Sequence, residues 1–281
     1  MKITITGVNG YISNSISTWL SKKSQLFDIN LISIRDEITL PNNTDVLIHT
    51  AALVHKKESN FLESDYFKVN CDLTVQLAKK AKISGVKHFI FFSTMAVYGI
   101  ESGEIHSKSV LQPKTFYGKS KLAAEKQLLD LKDDNFIVSI VRPPMVYGPK
   151  CPGNYAILEK VARKTPIFPN VKNFRSMIFI YNLTEFIYQL ILHKALGIFH
   201  PQDSQYVTTS QMVKKIAEIH HHPLFLEPIS GSFIKPFCSR IGIVNKVFGN
   251  LVYNKDLSSY MDNSYQIYSF EEALKITELS Q

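Results

Sequence analysis

Tyr117 and Lys121 stand four residues apart in Tyr117-Gly118-Lys119-Ser120-Lys121, which opens a predicted helix. Side chains at that spacing share a helical face, so the lysine can reach over the tyrosine ring or its hydroxyl. A free tyrosine titrates near ~10 and is a poor base at neutral pH. A nearby ammonium favours the phenolate and lowers that value. The same spacing also occurs on helices that do no chemistry, so the pair needs company. Phe92-Ser93-Thr94-Met95 supplies it. The segment places the Ser93 and Thr94 hydroxyls at the carboxyl end of a predicted strand, where doubly wound folds bind ligands. A hydroxyl there can orient a substrate oxygen; simple capping of the strand is the alternative.

A second constellation lies at the amino end, in Thr6-Gly7-Val8-Asn9-Gly10-Tyr11-Ile12-Ser13. It sits between a β-branched strand and a helical pattern. Gly7 permits a tight turn, and Gly10 lets the backbone approach a pyrophosphate at the helix N-terminus. Ser13 replaces the usual third glycine. The end of the second strand reads Ile34-Arg35-Asp36. An acid there bonds the ribose 2′-hydroxyl of NAD, whereas an arginine accommodates the 2′-phosphate of NADP. Arg35 holds the position where an acid would favour NAD, which tilts the reading towards NADP; a surface ion pair is the alternative.

These residues need a scaffold, and the chain supplies strand and helix patterns in alternation. Strands are expected at 3–6, 29–34, 45–49, 88–92 and 136–141. Helices are expected at 11–21, 66–84 and 117–131, the second with Val69, Leu73, Leu77 and Ala81 on one face. That alternation specifies an α/β fold, a doubly wound parallel sheet with crossover helices. Only about ten residues join the strands ending at Ile34 and starting at Asp45, near the lower limit for a helical crossover. Beyond Arg142-Pro143-Pro144 the pattern loosens, with helices expected at 154–164, 182–194 and 208–220. Two domains are expected: 1–150 for nucleotide binding, and 151–281 as a smaller lobe interleaved with the sheet.

Composition narrows the function classes. The 281 residues carry a formal charge of +8, but the lysines are interleaved with acids, without the basic run of a nucleic-acid binder. Cys71, Cys151 and Cys238 are far apart and form no metal framework, as expected of a reducing compartment. No apolar stretch approaches the ~20 residues of a membrane span, and a cytoplasmic protein is the expectation. His220-His221-His222 invites a metal reading, yet adjacent helical residues diverge and no ligand cluster accompanies them, so no metal is expected. The segment from Phe225 to Phe237 could be a mobile loop over a ligand or ordinary packing.

The ordered segments TGVNGYI (6–12), DVLIHTAA (45–52), VN (69–70), FFSTMAVYG (91–99), YGKSK (117–121), VRPPMVYGP (141–149) and FRSMIFIYNL (174–183) carry a resemblance. The sequence resembles the extended short-chain dehydrogenases that act on nucleotide sugars, a family including UDP-galactose 4-epimerase and related 4-ketosugar reductases. The stretch from Phe248 to Glu278 is also similar to the tails of bacterial sugar-nucleotide epimerases. The resemblance implies a Rossmann domain and a C-terminal substrate-binding lobe. It makes Tyr117 the acid/base, and Thr94 the catalytic hydroxyl with Ser93 before it. Lys121 holds the nicotinamide ribose. Gly7, Gly10, Tyr11 and Ile12 line the pyrophosphate, and Thr50 and Ala51 flank the cofactor. Asn70 braces the site, while Arg175 and Asn154 contact the substrate. The implied activity is NAD- or NADP-dependent 4-epimerisation of a nucleotide-diphosphate sugar, probed against a 4-ketoreductase and a non-catalytic cofactor sensor as alternatives. A homodimer through the helix carrying Tyr117 is also implied. Ser13, the Tyr181-Asn182 pair in place of acids, and the short chain depart from the family.

Overall fold

The computed structural model describes residues 1–35, 38–54, 61–228 and 249–280. Six strands form one parallel sheet: β1 (Lys2–Thr6), β2 (Asp28–Ile32), β3 (Val46–His49), β4 (His88–Phe92), β6 (Ile137–Val141) and β10 (Gly197–Phe199), in the order β10-β6-β4-β3-β1-β2. The middle strands read as near-continuous apolar runs because both of their faces are covered. All five residues of β4 are buried. Its Phe89 and Phe91 join Leu47, Leu77, Leu128, Phe136, Val138 and Ile140 in one core cluster. The strand order reverses between β1 and β3, and ligands of such sheets bind at the carboxyl ends beside that reversal.

Three helices of the amino-terminal half carry the site. Helix α1 (Tyr11–Lys23) follows β1, and α4 (Phe116–Leu131) starts at the Thr115 cap, whose hydroxyl accepts from Gly118 N at 3.1 Å. The single helix expected over 66–84 is instead interrupted. It runs as α2 (Glu63–Phe67), a π-helical turn over Lys68–Asp72, and α3 (Leu73–Ile83). The wider turn changes the helical phase and brings Asn70 and Cys71 inside together. No helix is present between β2 and β3 among the described residues, in keeping with the short connection there.

The chain divides into two compact units, and the division is not a single cut at 150. The first comprises 1–99, 110–143 and 183–201; the second comprises 100–109, 144–182 and 202–281. The second unit holds three two-stranded parallel pieces. These pair β5 (Gly103–Ile105) with β12 (Leu251–Tyr253), β7 (Met145–Tyr147) with β9 (Met177–Phe179), and β8 (Ile167–Pro169) with β11 (Phe225–Glu227). Its helices are α5 (Asn154–Ala162), α7 (Thr209–Ile219) and α8 (Phe270–Leu279), while α6 (Ile180–Leu192) begins in it and continues into the first unit. The Phe225 end of the suggested loop is thus strand β11; residues 229–237 lie outside the described residues. Among the described residues no helix is long and apolar enough to cross a membrane.

One glycine governs the segment between β4 and α4. Gly99 ends a 3₁₀ turn over Met95–Tyr98 at φ 65°, and a Cβ built on it would lie 1.8 Å from the Gln112 carbonyl oxygen. Gly99→Ala should therefore destabilise the protein by about 3 kcal/mol or more. Urea unfolding of the variant beside the parent protein checks this.

Candidate active site

The nucleotide turn is built from backbone. Gly7 adopts φ 97° and donates its N–H to Ile32 O at 3.0 Å; Gly10 N donates to Gly7 O at 2.8 Å. A Cβ on Gly7 would meet Thr50 Oγ1 at 3.1 Å, and one on Gly10 would meet Ser13 Oγ at 2.8 Å. Gly10 is also the N-cap of α1, so no side-chain oxygen competes for the first-turn N–H groups, and that turn holds no acid. A 13-residue helix with its positive end open at a glycine-lined turn fits a dinucleotide pyrophosphate. Tyr11 and Ile12 belong to that first turn. Ser13, the departure from the glycine pattern, is buried and donates to Gly7 O and to Gly10 O, the latter at 2.9 Å. Its hydroxyl therefore staples the turn instead of leaving room for closer helix packing.

Thr50 and Ala51 close the other side of the turn. Thr50 Oγ1 donates to Thr6 O at 2.7 Å, and the Ala51 N–H donates to Thr6 Oγ1 at 3.3 Å. Arg35 is exposed just past β2, its backbone N–H directed to Ser33 Oγ at 3.4 Å; Asp36 lies outside the described residues.

Thr94 and Tyr117 meet in the same unit. Gly118 allows the approach, because a Cβ there would lie 2.9 Å from Ala96 O and 3.0 Å from Pro113 Cβ. Thr94 Oγ1 accepts from Ala96 N at 3.1 Å and is hydrogen-bonded to the Tyr117 hydroxyl. Capping and alignment with Tyr117 are thus combined in one side chain. Burial pushes the half-buried Tyr117 up to about 12, and the Thr94 hydrogen bond acts in the opposite sense. Lys121 does not sit on the Tyr117 hydroxyl and does not figure among the groups that shift it. Its buried ammonium donates to Phe92 O at 2.8 Å and lies 4.5 Å from the Phe91 ring centroid. Burial lowers Lys121 to about 7, while the Glu125 carboxylate raises it.

Asn70 lies between the two constellations. Its side chain accepts from Leu53 N at 2.7 Å and donates to Leu53 O and to Ser120 Oγ, both at 3.1 Å. Ser120 in turn donates to Tyr117 O at 2.9 Å. On the other side, Thr74 Oγ1 donates to Asn70 O at 2.9 Å and lies 2.9 Å from His49 Nε2, and His49 Nδ1 lies 2.7 Å from Thr6 Oγ1. His49 was absent from the residues singled out by sequence. Burial, then Lys121, lowers it to about 3, so it is neutral and serves as a polar link. The Ser93 hydroxyl is turned inward and donates to Glu125, which also binds Arg142. Glu125 and Arg142 were likewise missed, although Lys121-to-Glu125 repeats the spacing of four.

Arg175 and Asn154 belong to the second unit. Asn154 is exposed at the start of α5, and Arg175 is half-buried with Nη1 donating to Gly249 O at 3.1 Å. Burial lowers its pKa from the usual guanidinium value. Asn182, one of the two residues in place of acids, donates to Asp203 Oδ1 at 2.8 Å and exchanges hydrogen bonds with the Tyr268 backbone at 3.0 Å each way. Asp203 supplies a carboxylate beside it, and an acid at 182 would face that carboxylate. Tyr181 packs against Phe179 and Tyr268. His220 Nε2 lies 2.6 Å from Glu278 Oε2, with Glu159 close enough that the three ligand-type atoms fall within 4.8 Å. Tyr155 donates to the other Glu278 oxygen, and Arg163 holds Glu159 at 3.1 Å, so these carboxylates already have partners.

A helix terminus shaped for a pyrophosphate, in the same unit as a paired hydroxyl and phenol and a buried lysine, defines an enzyme that works with a nicotinamide dinucleotide. Residues 3–198 match the model of the NAD dependent epimerase/dehydratase family, and the chain belongs to it. A UDP-glucose 4-epimerase of Vibrio cholerae is 32% identical over 281 residues, covering 89% of this chain and 86% of that protein. Two solved structures share the fold. One is UDP-glucuronic acid 4-epimerase from Bacillus cereus in complex with NAD, with TM-score 0.76 and 19% identity over 99% of this chain and 96% of that one. The other is RMD from Pseudomonas aeruginosa complexed with NADPH, with TM-score 0.74 and 16% identity over 99% and 98%.

Asp203 generates a pH prediction. Burial raises it to about 6 despite donors from Asn182, Phe179 N and Tyr147, against 3.8 for a free aspartate. The native state therefore binds this proton more tightly than the unfolded chain, and its contribution to stability declines as pH rises from about 4 to about 6. Asp203→Asn should remove that slope; urea midpoints of both proteins across this range provide the comparison.

Proposed function

We propose that this protein interconverts nucleotide-diphosphate sugars, most simply UDP-sugars, that differ in configuration at C4. The hydrogen-bonded Thr94–Tyr117 pair carries the reading, since it places an acid/base and an orienting hydroxyl together at the sheet's ligand-binding edge. The turn at Gly7 and Gly10 fits a nicotinamide dinucleotide, which when bound accepts hydride from the sugar carbon and returns it to the opposite face.

The chain's own residues do the rest. Tyr117 takes the proton from the C4 hydroxyl and gives it back to the 4-keto sugar after that sugar has turned over. Thr94 keeps a hydroxyl beside the same oxygen. Asn70 and Ser120 fix the first turn of α4 on which Tyr117 stands. Lys121 supplies a buried positive charge and would hold the nicotinamide ribose of a bound cofactor. Arg175 and Asn154 meet the nucleotide diphosphate and the sugar. Tyr117, like any tyrosine, is a phenol at neutral pH, and burial raises it further, so its ionisation is coupled to the arrival of positive charge with the oxidised cofactor.

Arg35 supports a ribose 2′-phosphate and hence NADP. Mass analysis of the cofactor that co-purifies decides between the two dinucleotides. Tyr117→Phe should retain that cofactor while losing turnover of UDP-glucose and UDP-galactose by about 10²–10⁴-fold. Undiminished turnover would overturn the role of Tyr117. Stoichiometric oxidation of reduced cofactor would replace epimerisation by one-way 4-ketoreduction.

A further inference from the structure

Three consecutive residues at the end of β4 are tied to three residues of α4 spaced by four. Phe92 O accepts from Lys121 Nζ at 2.8 Å. Ser93 Oγ donates to Glu125 Oε1. Thr94 is hydrogen-bonded to Tyr117. Positions 117, 121 and 125 lie on one helical face, so the strand end and the helix are laced together directly beneath the site.

Glu125 and Lys121 are each only 1% exposed, beside Arg142 at 4%. Arg142 Nε donates to Glu125 Oε1 at 3.0 Å, and Nη2 donates to Oε2 at 2.5 Å. The third guanidinium nitrogen, Nη1, donates to the Tyr98 hydroxyl at 2.8 Å, and that hydroxyl lies 2.7 Å from His200 Nε2. A buried carboxylate thus has Arg142 in direct contact and Lys121 one helical turn away on the same helical face. A well-packed pair of apolar residues would fill such a space without desolvating charge. The arrangement makes sense where the charge itself is used.

We propose that Glu125 is a positioning residue for the reaction: its carboxylate holds the Lys121 ammonium charged and, through the Ser93 hydroxyl, fixes the strand end that bears Thr94. This inference rests on the reading of Tyr117 and Lys121 given above. Among the described residues, few titratable or charged groups face Lys121 and Glu125. Tyr117 is on α4, and His49 ends β3 in the neutral form. Arg142 follows β6, Tyr98 lies in the 3₁₀ turn, and His200 follows β10 in the neutral form, lowered to about 3 by burial and then by Arg142. Glu125 is the carboxylate among them. Burial lowers Lys121 to about 7, and Glu125 opposes that shift. Removing the carboxylate lowers Lys121 further. Since the ammonium is the useful form, activity is then lost at a lower pH as pH rises.

The test uses the full chain with its bound cofactor. Carbon-13-labelled lysine gives the titration midpoint of Lys121 by NMR, its signal identified by its absence in Lys121→Arg. Glu125→Gln should lower that midpoint by about one pH unit or more, and the alkaline limb of UDP-glucose turnover should move with it. Glu125→Asp keeps the charge and should hold the midpoint close to the parent value; it also serves if Glu125→Gln does not fold, because a midpoint in Glu125→Asp that rises would contradict the withdrawal of the carboxylate from Lys121. Ser93→Ala should leave the midpoint and the cofactor Kd in place and lower kcat about tenfold, as expected for a misplaced Thr94. An unmoved Lys121 midpoint in Glu125→Gln, or a loss of turnover equal at every pH, would overturn the role assigned to Glu125. Full turnover in Tyr117→Phe would instead overturn the underlying reading, and it leaves the Lys121 titration unaffected.

Discussion

Lys121 carries its ammonium into a place where only 1% of the residue meets solvent. Desolvation disfavours that charge strongly, and burial with no partner would discharge it. The surrounding structure is organised to prevent this. The Phe92 carbonyl accepts from the ammonium, the Phe91 ring face lies beneath it, and Glu125 stands one turn along α4. Each of those contacts in turn fixes something else. Phe91 and Phe92 belong to the central strand of the sheet, and Glu125 binds both Ser93 and Arg142. Holding one charge therefore fixes the distance between β4 and the helix on which Tyr117 stands.

A second constraint runs from the nucleotide turn to the same helix. Thr6, His49, Thr74, Asn70 and Ser120 form a continuous run of hydrogen bonds that ends on the Tyr117 carbonyl. Every step lies within the first unit and is buried or nearly so. Buried polar groups are stable only when satisfied, and here each is satisfied by the next. The π-helical turn is what admits Asn70 to this run, by rotating it inward beside Cys71. The nucleotide turn and the first turn of α4 are thereby parts of one polar framework.

The sequence made the parallel sheet legible because its strands are apolar, short and punctuated, and because β1 leads directly into a glycine turn. Tyr117, Lys121 and Thr94 were legible by spacing and by their place at strand and helix ends. Their supporting residues were not. His49, Glu125 and Arg142 are ordinary polar letters until tertiary structure buries them, and burial is what gives them work. That Lys121 can reach over the Tyr117 ring or its hydroxyl followed from helical geometry alone; in the structure the ammonium is taken by the Phe92 carbonyl. The π turn escaped notice because Val69, inside it, keeps the spacing of four with Leu73, Leu77 and Ala81 beyond it. Helix α8 was overlooked although Ser269 and Glu272 form a capping box that can be read directly. Two segments cross between the units, at 100–109 and 183–201, which no composition change marks.

In the proposed reaction Tyr117 rests as a phenol whose pKa burial raises to about 12, and the oxidised cofactor's positive charge releases its proton. Tyrosinate absorbance, taken as the difference between the parent protein and Tyr117→Phe, isolates this one phenol during a pH titration. Measured with and without saturating oxidised cofactor, the midpoint should fall from about 12 by several pH units when the cofactor is bound. A midpoint that stays near its value in the absence of cofactor would contradict the account.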